Sequence, residues 1–164
     1  MKKKSNQMSS SQLIQFVRFK CPHPGSVRIG KYEVYPSSFH SAMDGIKDID
    51  ILVPLAEMPS SQIWSLGYSG RVIGYPLPDM GDIPGPWELF LDSMINELES
   101  GKKIRPFCLG GHGRTGTFLA CLLTRLEPEI ADPIRAIRDR YCEEAIESSH
   151  QIEKYSQLQA WVDA

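Results

Sequence analysis

IRPFCLGGHGRTGTFL, residues Ile104–Leu119, joins an apolar strand to an apolar helix through a loop in which three of five residues are glycine. Ile104–Cys108 reads as a short buried strand, and Arg114–Leu126 as a helix that is apolar on most sides. Between them lie Leu109, Gly110, Gly111, His112 and Gly113. Glycine lets the chain take conformations that turn successive N–H groups to one side. Such a nest, ending at a helix N-terminus, favours an anion. Arg114 adds a planar fork suited to two phosphate oxygens. Cys108 stands at the base of the nest, where the same positive field stabilises a thiolate. One loop therefore has the parts to hold a phosphoryl group and to attack it.

Outward from this loop, strands and helices alternate. Pro86–Ser100 places Trp87, Phe90, Leu91, Met94, Ile95 and Leu98 at helical spacing, and Gly101 stands at the C-cap. Ile49–Leu55 and Arg71–Pro76 are strand candidates, with a weaker helical or loop stretch between them to Ser69. Leu13–Phe19 has strand character, and Val27–Tyr35 is β-rich with a break at Gly30–Lys31. Leu77–Pro86 is a loop punctuated by Pro78, Gly81, Pro84, Gly85 and Pro86. Asp132 as N-cap and Pro133 at the first helical position open a helix to about Tyr141. Ser148 or Ser149 caps a last helix with Ile152, Tyr155, Leu158 and Val162 on one face. The pattern predicts an α/β fold, a mostly parallel central sheet flanked by helices in a single domain. Residues 1–12 read as a flexible polar tail and 13–164 as the domain.

Composition narrows the class. The chain has 164 residues, 41% hydrophobic and 23% charged, which suits a packed core rather than a disordered chain. Eighteen basic and 20 acidic residues give a net charge of -2, so no nucleic-acid partner is expected. Lys2–Lys4 are followed by polar residues rather than an apolar leader, and the longest apolar run, Phe118–Leu123, is far below a membrane span. A cytoplasmic protein without a membrane partner is expected, with a monomer favoured. Cys21, Cys108, Cys121 and Cys142 form no CxxC pair. Cys21 and His23 suggest half a metal site, but no second pair at ligand spacing accompanies them, so no metal is expected. Cys121 and Cys142 read as packing residues.

The order Cys-x5-Arg-Thr-Gly at Cys108–Gly116 resembles the signature of the protein-tyrosine phosphatase superfamily, in particular its small dual-specificity-like branch. Tyr75-Pro-Leu-Pro-Asp79, which ends 29 residues before Cys108, is similar to that family's mobile acid loop. Ile137–Cys142 and Ala145–Gln151 look like the C-terminal helical region of small bacterial and phage members. The resemblance implies a cysteine-dependent phosphomonoesterase with no cofactor, acting on phosphorylated protein, phosphotyrosine first. Cys108 is then the nucleophile and Arg114 the phosphate clamp, with Leu109–Gly113 lining the phosphate. Asp79 is the expected general acid, and Asp82 is the alternative. Thr115 either caps the helix or hydrogen-bonds the Cys108 sulfur. Gly116 is expected to let the helix start approach the sheet.

Phe107 departs from the pattern, because most members have histidine before the cysteine. His112 lies where some phosphoinositide phosphatases carry lysine, and reads either as a charge at the pocket mouth or as a solvent-exposed filler. Gln151 is either a water-orienting residue or a polar first-turn residue. The loop lacks the two lysines typical of phosphoinositide enzymes. RNA 5′-phosphates and small phosphometabolites remain as other substrates, with cleft depth set by residues 22–41 and 62–69. The weakened pattern at Phe107 also admits a phosphate-reading module with little turnover. Gly111–Gly116 satisfies G-x-G-x-x-G as well, but a dinucleotide reading leaves Cys108 unexplained, and no Gly-Lys-Ser/Thr follows for a nucleotide loop.

Overall fold

The structure, a computed structural model, describes residues 23–57, 67–77 and 85–146. The polar tail, the strand expected at Leu13–Phe19 and the last helix after Ser148 lie outside the described residues. Among the described residues the strands are β1 (Val27–Ile29), β2 (Tyr32–Val34), β3 (Ser37–Ser38), β4 (Ile51–Pro54), β5 (Arg71–Val72) and β6 (Ile104–Cys108). The helices are α1 (Trp87–Glu99), α2 (Gly113–Leu126) and α3 (Pro133–Arg140), with a single 3-10 turn at Ile46–Asp48. The sheet has four parallel strands in the order β3-β6-β4-β5. β1 and β2 form a separate antiparallel hairpin, turning at Gly30 (φ 60°) where the sequence breaks. This is the expected α/β architecture, with β6, the strand that runs into the glycine-rich loop, in the interior of the sheet.

Alternation along the strands buries both faces, as parallel sheets require. Ile51, Val53, Leu55 and Ile104 join one core with Leu91, Met94, Phe118 and Leu122 from α1 and α2. Leu52 and Phe107 face a smaller cluster with Ala42, Ile49 and Tyr68. Pro106 is tolerated inside β6 for a definite reason. Ile104 O accepts from Tyr35 on the β3 side, and Phe107 O accepts from Leu55 on the β4 side. The missing N–H of Pro106 therefore faces β3, which is only two residues long and pairs at Phe107 and Cys108.

Helix ends follow their signals. Gly101 (φ 79°) donates to Leu98 O at 3.0 Å, and Lys102 donates to Glu97 O at 3.0 Å, closing α1 with a Schellman motif. Asp132 Oδ1 accepts from Arg135 N at 3.0 Å ahead of Pro133, as the capping residues predict.

β3 was not expected from its two serines. It exists because Arg105 organises the chain around it: Nε donates to Tyr35 O at 3.0 Å, and Nη1 donates to Ala42 O at 2.9 Å and to Asp44 O at 2.5 Å. The guanidinium is buried at 7% exposure, where desolvation lowers its pKa, and three backbone carbonyls replace its water.

Candidate active site

β6 delivers Cys108 to the C-terminal end of the parallel sheet, and the chain enters α2 five residues later. Parallel α/β sheets bind ligands at this end. Cys108 is buried, at 3% exposure. The Thr115 hydroxyl donates to its sulfur at 3.1 Å, from the first turn of α2. Of the two contacts open to Thr115, this is the one present, and the helix has no side-chain N-cap bond. Arg114, also in the first turn, donates from Nη1 to Leu77 O over 3.5 Å. Leu77 is two residues before Asp79 and is itself fixed by donating to Leu55 O at 3.0 Å. The chain leading to the expected acid thus starts beside the arginine. Asp79, Asp82 and Gln151 themselves lie outside the described residues.

The loop is held from two sides. Gly111 has φ 73°, and a Cβ there would lie 2.8 Å from both Ser37 O and Ser38 N. Phe39 N donates to Leu109 O at 3.2 Å on the same flank. On the other flank Tyr141 Oη donates to Gly111 O at 2.6 Å. His112 O accepts from Gly116 N at 2.9 Å and from Ile146 N at 3.4 Å. Ile146 has φ 55°, a strained conformation for a β-branched residue. Arg138 holds that turn by donating to Ala145 O at 2.9 Å and Ile146 O at 2.7 Å.

Two expectations are corrected here. Gly116 is required not by the sheet but by this turn, since a Cβ would stand 3.0 Å from Ala145 Cβ and from Ile146 N. His112 is neither a solvent-exposed filler nor a charge at the pocket mouth: it is 3% exposed. Its Nδ1 lies 3.2 Å from His23 Nε2 and 3.4 Å from Cys142 Sγ. Burial first, and then the neighbouring His112, hold the His23 pKa down to about 4, so that ring is neutral at neutral pH. Cys142 packs in the main core, as its sequence reading expects, and its Sγ also faces His112. Cys121 is core, and burial pushes its thiol strongly upward. Phe107 is fully buried and packs in the smaller core with no part in the loop's polar bracing.

No family model matches the chain. Two uncharacterized proteins of Methanocaldococcus jannaschii do, each 34% identical over 140 residues. The match covers 82% of this chain and 92% of one relative and 85% of the other. The chain belongs to their family. Solved structures supply the fold. Tk-PTP in its active form superposes with a TM-score of 0.63 at 22% identity, over 84% of this chain and 97% of that one. Human DUSP28 gives 0.65 at 14% identity, over 88% and 98%. The Yvh1 phosphatase domain of Chaetomium thermophilum gives 0.60 at 16%, over 84% and 95%. The fold of the chain is thus that of the dual-specificity and tyrosine phosphatases, as the resemblance implied. Among the described residues no helix is long and apolar enough to cross a membrane.

The Gly111 contacts give a first prediction. Gly111→Ala places a methyl against β3 backbone, which cannot swing aside as a side chain would. The expected cost is about 2 kcal/mol or more, from the left-handed φ and the clash together. Chemical denaturation should show it. Unchanged stability would mean that the loop does not sit against β3.

Proposed function

We propose that the chain is a phosphomonoesterase acting through a phosphocysteine intermediate, without a metal in the chemical steps. The observation that carries this reading is the Thr115 hydroxyl on the Cys108 sulfur at 3.1 Å, at the base of a loop whose exit helix bears Arg114. Cys108 thiolate attacks phosphorus and the bond to the leaving oxygen breaks. Asp79 gives that oxygen its proton. Water then attacks the thiophosphate, Asp79 takes a proton from it, and the P–S bond breaks to release phosphate. The Thr115 hydrogen bond stabilises the sulfur as it departs. Loop amides and Arg114 hold the non-bridging oxygens throughout, and this preorganised charge supplies most of the acceleration. The substrate class is phosphorylated protein, with phosphotyrosine first. Leu109, 50% exposed at the loop, offers apolar surface to an aromatic ring.

The test is acid-quench trapping with a labelled aryl phosphate in EDTA. Label should become bound to wild-type protein in an acid-stable, Cys108-dependent form. Phosphate binding without any trapped label or turnover would instead make the chain a phosphate-reading module. The acid assignment is tested in the same assay. Asp79→Asn should lower kcat about 100-fold on a poor leaving group and much less on a good one. If Asp82→Asn shows that pattern and Asp79→Asn does not, the acid is Asp82.

A further inference from the structure

His23, His112 and Cys142 come from three distant parts of the chain and meet with their donor atoms all within 4.8 Å of one another. We propose that they form a binding site for a thiophilic divalent cation, zinc before others, which braces the phosphate loop from behind. Zinc–nitrogen bonds of about 2.0–2.1 Å and zinc–sulfur bonds of about 2.3 Å put tetrahedral ligands roughly 3.3 Å apart for N···N and 3.6 Å for N···S. Two of the three pairs here are 3.2 Å for His23 Nε2 to His112 Nδ1 and 3.4 Å for His112 Nδ1 to Cys142 Sγ, and the third, His23 to Cys142, lies within 4.8 Å and closes by a small turn of the half-buried His23 ring.

The hydrogen-bond account of the same cluster is crowded. One ring nitrogen, His112 Nδ1, is approached by both His23 and Cys142. An imidazole nitrogen offers one in-plane lone pair or one hydrogen, so it serves one such partner well and not two. A cation between the three atoms satisfies all of them. Two imidazoles and a thiolate are the donors of zinc or cobalt(II), not of magnesium or calcium, which take oxygen. His23 is only half buried, which gives the ion a way in and leaves a fourth position for water. On binding, Cys142 gives up its thiol proton to solvent.

The location gives the site a consequence. His112 is the N-cap residue of α2, and Cys142 lies two residues beyond α3. His23 also stacks on Tyr141, with ring centroids 4.7 Å apart, and Tyr141 holds Gly111 O. An ion here ties the phosphate loop to the C-terminal turn. The polar brace that Phe107 cannot supply is thereby placed at His112. The inference rests on this cluster alone and stands whether or not Cys108 performs the proposed chemistry.

Cobalt(II) titration of the chelator-stripped full chain tests it. One equivalent should produce a thiolate-to-cobalt charge-transfer band, displaced by zinc. The band should persist in Cys108→Ser and disappear in Cys142→Ser. His23→Gln, at a half-exposed side chain, should weaken binding about tenfold or more and remove the rise in Tm that zinc gives the wild type. It carries the test if Cys142→Ser does not fold. No band in the wild type, a band kept in Cys142→Ser, or unchanged affinity in His23→Gln overturns the proposal. A band lost in Cys108→Ser places the metal on the active-site thiol and overturns it equally.

Discussion

Cys108→Ser is expected to abolish turnover of an aryl phosphate, by on the order of 10^4-fold or more, while leaving phosphate binding within about threefold of wild type. The two halves of this expectation have separate causes. On the proposed function, binding belongs to the loop amides and Arg114, and the loop is held by Gly111 against β3 and by the Tyr141 and Ile146 braces rather than by the sulfur. Attack belongs to a thiolate, and a serine hydroxyl in the same place has a far higher pKa and no neighbouring base among the described residues to deprotonate it. Thr115 is a hydroxyl donor to this atom, which helps an anion and does nothing to create one from serine. Initial rates in EDTA together with phosphate or vanadate affinity measure both halves. Residual turnover within tenfold of wild type would exclude Cys108 as nucleophile. Loss of binding along with turnover would mean that the substitution disturbs the loop, and Cys108→Ala would then be the cleaner comparison.

The loop and its flanking elements were legible in the sequence because their signals are local. Gly101 and Asp132 end and begin helices by contacts within three or four residues, and the apolar periods of α1 and α2 report a core on one side. Ile104–Cys108 runs straight into its glycines. What escaped is non-local. β3 is two serines whose strand character comes from pairing with Phe107 and Cys108 and from Arg105 holding the carbonyls around it. Arg105 itself looks like any charged residue in a strand, and only its apolar neighbours on both sides signal burial. His112 reads as polar filler among glycines because its partners are 89 positions upstream at His23 and 30 downstream at Cys142. The same separation keeps the neighbours of His23 out of view: ligand spacing along the chain detects clusters built on one hairpin, not clusters assembled from three elements. Gly116 reads as a close-approach glycine, but the approaching chain, Ala145–Ile146 rather than the sheet, follows α3 and carries no motif that points back to it.

Arg114→Met should lower kcat for an aryl phosphate by about 10^3-fold, far beyond what any change in stability accounts for. The rate effect follows from what the guanidinium does as charge builds on the phosphoryl oxygens. Arginines placed this way in phosphoryl transfer are worth about 10^3–10^5 in rate. The position of the residue points the same way. Arg114 is in the first turn of α2, whose positive dipole end disfavours a cation by roughly 0.3–1 kcal/mol. Its Nη1 also donates to Leu77 O at 3.5 Å, a long hydrogen bond. On the proposed function, an anion held at the helix start offsets this cost. Arg114→Lys separates charge from geometry: it retains the cation but loses the two-pronged donor, and should recover little of the lost rate. Rates, phosphate affinity and thermal melts on the two variants suffice. If Arg114→Met instead melts several degrees lower and loses activity only in proportion to the unfolded fraction, the arginine is a structural tie to the Leu77 segment, and the phosphate clamp must be sought elsewhere in the loop.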